Sequence, residues 1–288
     1  MGRSAAIARA HGYFDSGTFV ADLRRRVAIA STSQEPDRAG ELNRYLDEEM
    51  KPALAALGFA ARVFDNSRGP PILLAERMED ARLPTVLIYG HGDTVRGQDD
   101  QWRTGLSPWV LTVEGDRLYG RGSADNKGQH SINIASLGAV IAERADLGAG
   151  LGFNVKFLIE TGEEVGSAGL REFCREHSKG LLAADVLIAS DGPRVAPARP
   201  TAILPNTGGS LPNDSFTDEL GLKTIWIPHS YAGCSQHAPD EHLLAPIARE
   251  GLRAMAGLFW DLGEPGLVPA VARLERSETR GRGSAGLE

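Results

Sequence analysis

The side chains best suited to chemistry are imidazoles and carboxylates that directly follow short apolar segments of the chain. They come in three groups: His91 with Asp93, Glu163 with Glu164, and Asp191 alone. Two adjacent carboxylates repel each other, so holding them together at one strand end is costly unless a cation is present. Imidazole and carboxylate ligands without thiolate suit zinc, manganese or cobalt ions. The pattern therefore indicates a site for divalent metal ions.

Two further candidate ligands lie in loops that lead into predicted helices. Asp125 is in the glycine-rich segment 120–128, and His237 precedes the last predicted helix. The segment 120–128 matches neither the Walker nor the dinucleotide-binding pattern, which argues against a phosphate-binding loop. In hydrolytic sites a single carboxylate can bridge two metal ions about 3.5–4 Å apart. The alternative interpretation, that these loops are only helix caps and turns, stays open at this point.

The elements that must position these side chains are apolar strands and amphipathic helices. Strands are predicted at 59–65, 72–77, 85–89, 153–159, 185–189 and 222–227, with a hairpin at 110–118. Helices are predicted at 14–30, 38–57, 125–144, 170–177 and 242–262. Buried β-branched segments such as 85–89 are typical of parallel sheets, where ligands bind beyond the carboxyl ends of the strands. We therefore expect an α/β protein: a three-layer α/β/α domain with a mostly parallel central sheet.

The overall composition argues against several classes of partner. The 288 residues carry 38 acidic and 31 basic side chains, for a formal net charge of −7, which argues against binding to nucleic acid or to an anionic membrane. No apolar segment approaches the length of a membrane span, and the first residues lack the apolar core of a signal peptide. We therefore expect a cytoplasmic protein in which Cys174 and Cys234 are separate buried thiols.

Five short motifs, between about residues 15 and 265, carry a resemblance to a known family. They are G-H-G-D-T-V at 90–95, G-R-G-S-A-D-N-K-G at 120–128, E-T-G-E-E-V-G-S at 160–167, S-D-G-P at 190–193 and C-S-Q-H-A-P-D-E-H at 234–242. In this order they resemble the dinuclear zinc metallopeptidases that include acetylornithine deacetylase, succinyl-diaminopimelate desuccinylase, carboxypeptidase G and the cytosolic dipeptidases. Asp191, where other members carry glutamate, makes the chain more similar to the dipeptidase and aminopeptidase members.

The resemblance implies a zinc-peptidase-like fold and a metal-dependent amidohydrolase. Its substrate would be a dipeptide or an N-acyl amino acid, cleaved by a water that bridges two divalent metal ions, zinc or else manganese or cobalt. The implied ligands are His91 and Asp191 for one ion, Glu164 and His237 for the other, and Asp125 as the bridge between them. Glu163 would be the general base that takes a proton from the water, and Asp93 would orient His91.

Two finer features are also implied by the resemblance. The peptide bond between Asp125 and Asn126 is expected to be cis. Gly208, Gly209 and Ser210 match a turn that binds the substrate carboxylate in the family, although a plain glycine-rich connection would look the same.

The chain departs from the family in one respect. Family members usually carry a second domain, the lid, after the strand that ends at the position of Asp191. The lid mediates dimerisation and lends a histidine to the partner's active site. Here the 208–210 turn follows Asp191 so closely that no such domain fits between them. We therefore expect one catalytic domain over 1–270, whose two parts join near 204–205 in place of the lid, and a flexible tail over 271–288. Because the lid is missing, we also expect a monomer with impaired turnover. The alternative is a metal-binding scaffold with little or no activity.

Overall fold

Strands and helices alternate along the chain in the computed structural model, which describes residues 2–194, 212–222 and 224–266. The strands are β1 (Ala60–Phe64), β2 (Ile72–Arg77), β3 (Thr85–His91), β4 (Thr112–Glu114), β5 (Arg117–Tyr119), β6 (Asn154–Glu160), β7 (Val186–Ala189), β8 (Pro193–Arg194), β9 (Thr224–Trp226), β10 (Ser230–Tyr231) and β11 (His242–Leu244). The α-helices are α1 (Arg3–Asp15), α2 (Thr18–Val27), α3 (Ala39–Arg44), α4 (Lys51–Ala55), α5 (Lys127–Asp146), α6 (Leu170–His177), α7 (Asn213–Glu219) and α8 (Ala245–Leu262).

The central sheet has six strands in the order β1-β2-β6-β3-β7-β9. The pairs β6–β3, β3–β7 and β7–β9 are parallel, whereas β1–β2 and β2–β6 are antiparallel. The predicted mostly parallel sheet is therefore confirmed. Because the parallel strands run in one direction, their carboxyl ends meet at a single edge, which is where His91 ends β3.

Helices cover both faces of this sheet. Along β3, Val86 and Ile88 belong to the core cluster formed with α1, α2, α5 and α8. The alternate residues Leu87 and Tyr89 belong to a second cluster formed with α6 and α7. Side chains of a strand point alternately to its two faces, so two clusters mean two packed faces. The three-layer α/β/α prediction is confirmed.

The predicted hairpin at 110–118 is present as β4 and β5, which pair antiparallel around Gly115, a residue with φ of 55°. A third strand, β11, pairs with β5 through His242 and Tyr119. The prediction of a helix from 242 is wrong for its first three residues, because these extend this small sheet. The helix α8 begins at Ala245, with a proline in its first turn, which is where helices tolerate proline.

The amino-terminal region differs from the predicted helix at 14–30. Two helices, α1 and α2, meet near Gly17, whose φ is 80°. The sequence does not reveal α1 because its fully buried positions are the alanines Ala6 and Ala10, which leave no stripe of large apolar residues. Small side chains instead allow α1 to pack closely on the rest of the core cluster.

The predicted helix at 38–57 is helical but changes type along its length. The segment Tyr45–Met50 is a π-helical stretch between α3 and α4, and Tyr45 is fully buried. Gly58 follows with φ of 81°, as expected for a left-handed cap. Cys174 and Cys234 are buried free thiols, as predicted. Among the described helices none is long and apolar enough to cross a membrane. The cytoplasmic location stays a prediction.

Candidate metal centre

The structure brings the predicted ligands to the carboxyl edge of the central sheet. Four of them end or follow a strand: His91 ends β3, Glu163 and Glu164 lie in the 3₁₀ turn after β6, and Asp191 follows β7. Asp125 lies just before α5, and His237 lies in the loop between β10 and β11. Three of these elements are neighbouring parallel strands, which explains why residues distant in sequence meet here. The Asp125–Asn126 peptide bond is cis, as predicted.

One ligand group centres on Nε2 of His91. This nitrogen lies 3.1 Å from Asp125 Oδ1 and 3.4 Å from Asp191 Oδ2. Asp191 Oδ2 is buried and has no hydrogen-bond partner among the described residues. A single ring nitrogen can donate one proton at most, so it cannot satisfy both oxygens. A divalent cation would satisfy all three atoms, so this donor set fits a metal ion.

A second ligand group centres on Nε2 of His237. This nitrogen lies 3.0 Å from Asp125 Oδ2 and 3.1 Å from Glu164 Oε2. The other oxygen of Glu164 is buried without a partner among the described residues. In both groups the candidate ligand atoms lie within 4.8 Å of one another. Asp125 faces the first group with one oxygen and the second group with the other, which is the arrangement a bridging carboxylate requires.

Asp93 contacts the other ring nitrogen of His91, Nδ1. Nδ1 of His91 lies 3.1 Å from the carbonyl oxygen of Asp93 and 3.3 Å from its Oδ1. Two acceptors at Nδ1 favour a proton there, which leaves the Nε2 lone pair for a metal. The Asp93 carboxylate also accepts bonds from the backbone N–H groups of Glu163 and Glu164 and from Ser33 Oγ. The sequence motif gave no sign of this second task, because it involves only backbone donors and a serine outside the motifs.

The electrostatics of the site reflect crowded negative charge. Burial raises the pKa of Glu163 to about 8; the nearby positive charge of His91 opposes this shift and neighbouring carboxylates add to it. Hydrogen bonds to Asp125 and Glu164 raise the pKa of His237 to about 10, against the effect of burial. Of the two, His237 is a predicted ligand, and it retains a proton that a metal ligand must lose. Metal binding at such a site releases protons.

Two residues of the fifth motif have contacts that the sequence did not predict. Glu241 accepts hydrogen bonds from the loop that carries Asp125 and from the buried guanidinium of Arg121. Asp240 accepts a hydrogen bond from the backbone N–H of Arg103 and so ties two loops together. The predicted substrate-binding residues Gly208, Gly209 and Ser210, and the predicted join at 204–205, lie outside the described residues.

Comparisons with known proteins agree with this geometry. The profile of peptidase family M20/M25/M40 matches residues 87–196, which include every predicted metal-site residue except His237. Over 219 residues the chain is 36% identical to Beta-Ala-His dipeptidase of Mus musculus, covering 70% of this chain and 42% of that protein. It is 31% identical over 180 residues to Cys-Gly metallodipeptidase DUG1 of Candida albicans, covering 57% of this chain and 36% of that protein.

The chain therefore matches the M20/M25/M40 peptidase family over residues 87–196. Solved structures support the same fold: human carnosine dipeptidase 1 superposes with a TM-score of 0.75 at 16% identity, over 89% of this chain and 99% of that one. The di-peptidase Dug1p from Saccharomyces cerevisiae superposes with a TM-score of 0.76 at 13% identity, over 92% of this chain and all of that one. The family predicted from the five motifs is therefore confirmed. The chain spans less than half the length of the curated M20 relatives it matches.

Proposed function

We propose that this chain is a metal-dependent hydrolase that cleaves the amide bond of dipeptides, with two divalent ions, zinc in the first instance, at its centre. The observation that carries the proposal is the placement of Asp125, whose two oxygens face two separate ligand groups. The names of the relatives, Beta-Ala-His dipeptidase and Cys-Gly metallodipeptidase, support a dipeptide as substrate. An N-acyl amino acid has the same amide and carboxylate and is the related substrate to test.

Each of the five ligands has an assigned place in this proposal. His91 and Asp191 would hold one ion, Glu164 and His237 would hold the other, and Asp125 would contribute an oxygen to each. When bound, two divalent ions supply polarisation of the amide carbonyl and a lowered pKa for the attacking water. The remaining chemistry falls to the chain's own side chains.

Glu163 is the proposed general base. Its Oε2 lies 4.0 Å from His91 Nε2, farther than the oxygens of Asp125 and Asp191, and it makes no hydrogen bond to a predicted ligand. Its raised pKa suits a group that takes a proton from water and then passes it to the leaving amine nitrogen. Asp93 fixes the backbone of Glu163 and thereby its place beside the ligands.

The adjacent pair Glu163 and Glu164 gives a direct test of these roles. Glu163→Gln is expected to abolish dipeptide hydrolysis and leave metal content near that of the parent. Glu164→Gln is expected to lower metal content, because it removes a ligand. Hydrolysis of β-Ala-His, Cys-Gly and N-acetylated amino acids, with a chelator control, and metal analysis of both variants provide the measurements. Equal metal loss in the two variants would show that Glu163 is a ligand too, which its distance from Glu164 and His91 also permits.

The second candidate function is a metal-binding scaffold with slow turnover. The observation that favours it is the open second ligand group, since the side chain of His237 is 55% exposed. The histidine that a lid domain lends to its partner's site would be missing here, and loss of one donor that stabilises the oxyanion typically slows turnover by about 10²–10³-fold. An open site also admits water. We expect a monomer by light scattering and a rate far below that of a relative of full length. A rate equal to the relative's would contradict this expectation.

A further inference from the structure

A buried chain of hydrogen bonds lies beside the predicted ligands and includes none of them. Its side chains Tyr45, His130 and Asn126 are each no more than 1% exposed. Tyr45 Oη lies 2.5 Å from His130 Nε2, and His130 Nδ1 lies 3.1 Å from Asn126 Oδ1. Asn126 Nδ2 donates to the carbonyl oxygen of Ser190 at 2.7 Å. These hydrogen bonds thus connect residues at the helices, Tyr45 and His130, to the segment that follows β7.

The direction of these hydrogen bonds follows from the chemistry of the groups. The Ser190 carbonyl can only accept, so the Asn126 amide nitrogen faces it and the Asn126 oxygen faces His130. His130 must then carry its proton on Nδ1. Burial, together with nearby positive charges, lowers the pKa of His130 well below its ordinary value, in keeping with a neutral ring. The Nε2 of His130 then accepts a hydrogen bond from the hydroxyl of Tyr45.

Two members of the first ligand group are covalent neighbours of this hydrogen-bond chain. Asp125 directly precedes Asn126, and Asp191 directly follows Ser190. The bond from Asn126 to the Ser190 carbonyl therefore ties together the two backbone segments that present these carboxylates. A shift of Asn126 would move one carboxylate relative to the other.

The third member, His91, is linked by close packing. A Cβ added to Gly92 would lie 2.6 Å from ring carbons of Tyr45. A Cβ added to Gly90 would lie 2.9 Å from His130 Cβ. Only glycine allows approaches this close, so the backbone on the two sides of His91 packs against the side chains of His130 and Tyr45. This contact also gives a reason for both glycines of the G-H-G motif.

We propose that Tyr45 and His130 are positioning residues that hold His91, Asp125 and Asp191 in place to bind one metal ion. The proposal rests on the proposed function in one respect, that this group binds a metal. The side chains that complete the second group are held otherwise: Glu164 through Asp93, and His237 on the loop before β11. Disturbing Tyr45 or His130 should therefore weaken the first group more than the second.

The test measures zinc affinity of the whole chain by competition with a chromophoric chelator, and needs no turnover. His130→Leu is expected to weaken zinc binding by the first group about 10–100-fold, the usual effect of removing a partner that orients metal ligands. His130→Asn keeps an amide nitrogen near the position of Nδ1 and should recover part of this loss. The same comparison is repeated in a His237→Ala background, which removes the second group. Any affinity still lost there belongs to zinc binding by the first group.

Tyr45→Phe removes only the hydroxyl that donates to His130, and should weaken the same step to a smaller extent. Its matched control is Tyr13→Phe, which removes a hydroxyl bonded to Asp22, a pair that includes no predicted ligand. The control should leave zinc affinity unchanged. Because both tyrosine variants retain their rings, they keep the test usable if His130→Leu does not fold.

Nitrogen-15 NMR of the histidine rings provides a readout independent of metal. His130 is expected as the Nδ1–H tautomer, and an Nε2–H tautomer would overturn the proposal. The proposal would also be overturned if the variants melt at lower temperature but bind zinc in the first group within twofold of the parent. That result would mean that Tyr45 and His130 contribute only to packing. If the variants lose zinc affinity but the parent cleaves no dipeptide, the proposed function fails and the positioning role stands. If the parent cleaves dipeptides but the variants keep the parent's zinc affinity, the positioning role fails and the proposed function stands.

Discussion

Replacing Glu241 by glutamine is expected to remove a large part of the free energy of unfolding. The Glu241 side chain is buried, with 1% of the residue exposed. Its Oε2 accepts from Arg121 Nη1 at 2.8 Å and from the Gly122 backbone N–H at 3.1 Å. Its Oε1 accepts from the backbone N–H groups of Ala124 and Asp125 at 3.0 Å. Burial raises the pKa of this carboxyl, but since all four partners are donors, only the ionised form satisfies them.

The magnitude follows from what glutamine cannot do. Whichever way its amide turns, the NH₂ group faces two N–H donors, and the buried Arg121 cation loses its counter-charge. Removing one partner of a buried ion pair costs about 3–5 kcal/mol. Native domains are stable by only about 5–15 kcal/mol in total. At about 2–4 °C per kcal/mol for large domains, the melting temperature should fall by about 6–20 °C.

Urea unfolding followed by tryptophan fluorescence gives the measurement, and Glu264→Gln is the matched control. Glu264 pairs with Arg144, and its side chain is 52% exposed, so its loss should cost no more than about 1 kcal/mol. Adding Arg121→Met to Glu241→Gln should recover part of the loss, because it removes the unpaired cation. If Glu241→Gln costs less than about 1 kcal/mol, or the double variant is the less stable of the two, the reasoning is wrong.

Two further predictions concern the same region. Treatment with a chelator is expected to lower the melting temperature, because removing bound ions leaves buried oxygens of Asp191 and Glu164 without partners; equal melting curves with and without chelator would contradict a loaded metal site. Gly92→Ala is expected to destabilise the fold by about 1–3 kcal/mol, because its Cβ would meet the Tyr45 ring at 2.6 Å, as urea unfolding would measure. Gly12→Ala, in α1 with nothing within 4 Å, is the control and should be neutral or stabilising.

The predicted ligands could be found from the sequence because their signals are local. Most of them end or follow an apolar strand, and parallel strands bring their carboxyl ends to one edge whatever the details of packing. His91, Glu163 and Asp191 illustrate this, since each is placed by the strand just before it. The same reasoning gave the central sheet and its two covered faces. His237 is different, because it lies in the loop between β10 and β11 and not at the helix start that the sequence predicted.

The supporting residues could not be found in this way. Tyr45 and His130 lie 85 positions apart, and Glu241 lies 119 positions from Gly122. Neither pair has a sequence pattern that refers to its partner, because the contact is decided by how α5, β11 and the 39–55 helical region pack. Pattern reasoning assigns buried tyrosine and histidine positions of a helix to the core, and only the hydrogen bonds in the structure show otherwise.

The two ligand groups depend on different parts of the chain, with Asp125 common to both. Asn126, on its carboxyl side, belongs to the hydrogen-bond chain from Tyr45 that supports the first group. The backbone N–H of Asp125 is held instead by Glu241, which lies four positions after His237 on the same loop. Glu241 therefore couples the loop of the second group to Asp125, the predicted bridging carboxylate. It follows that changes at His130 and at Glu241 disturb the centre from opposite sides, and that Asp125 is where their effects must meet.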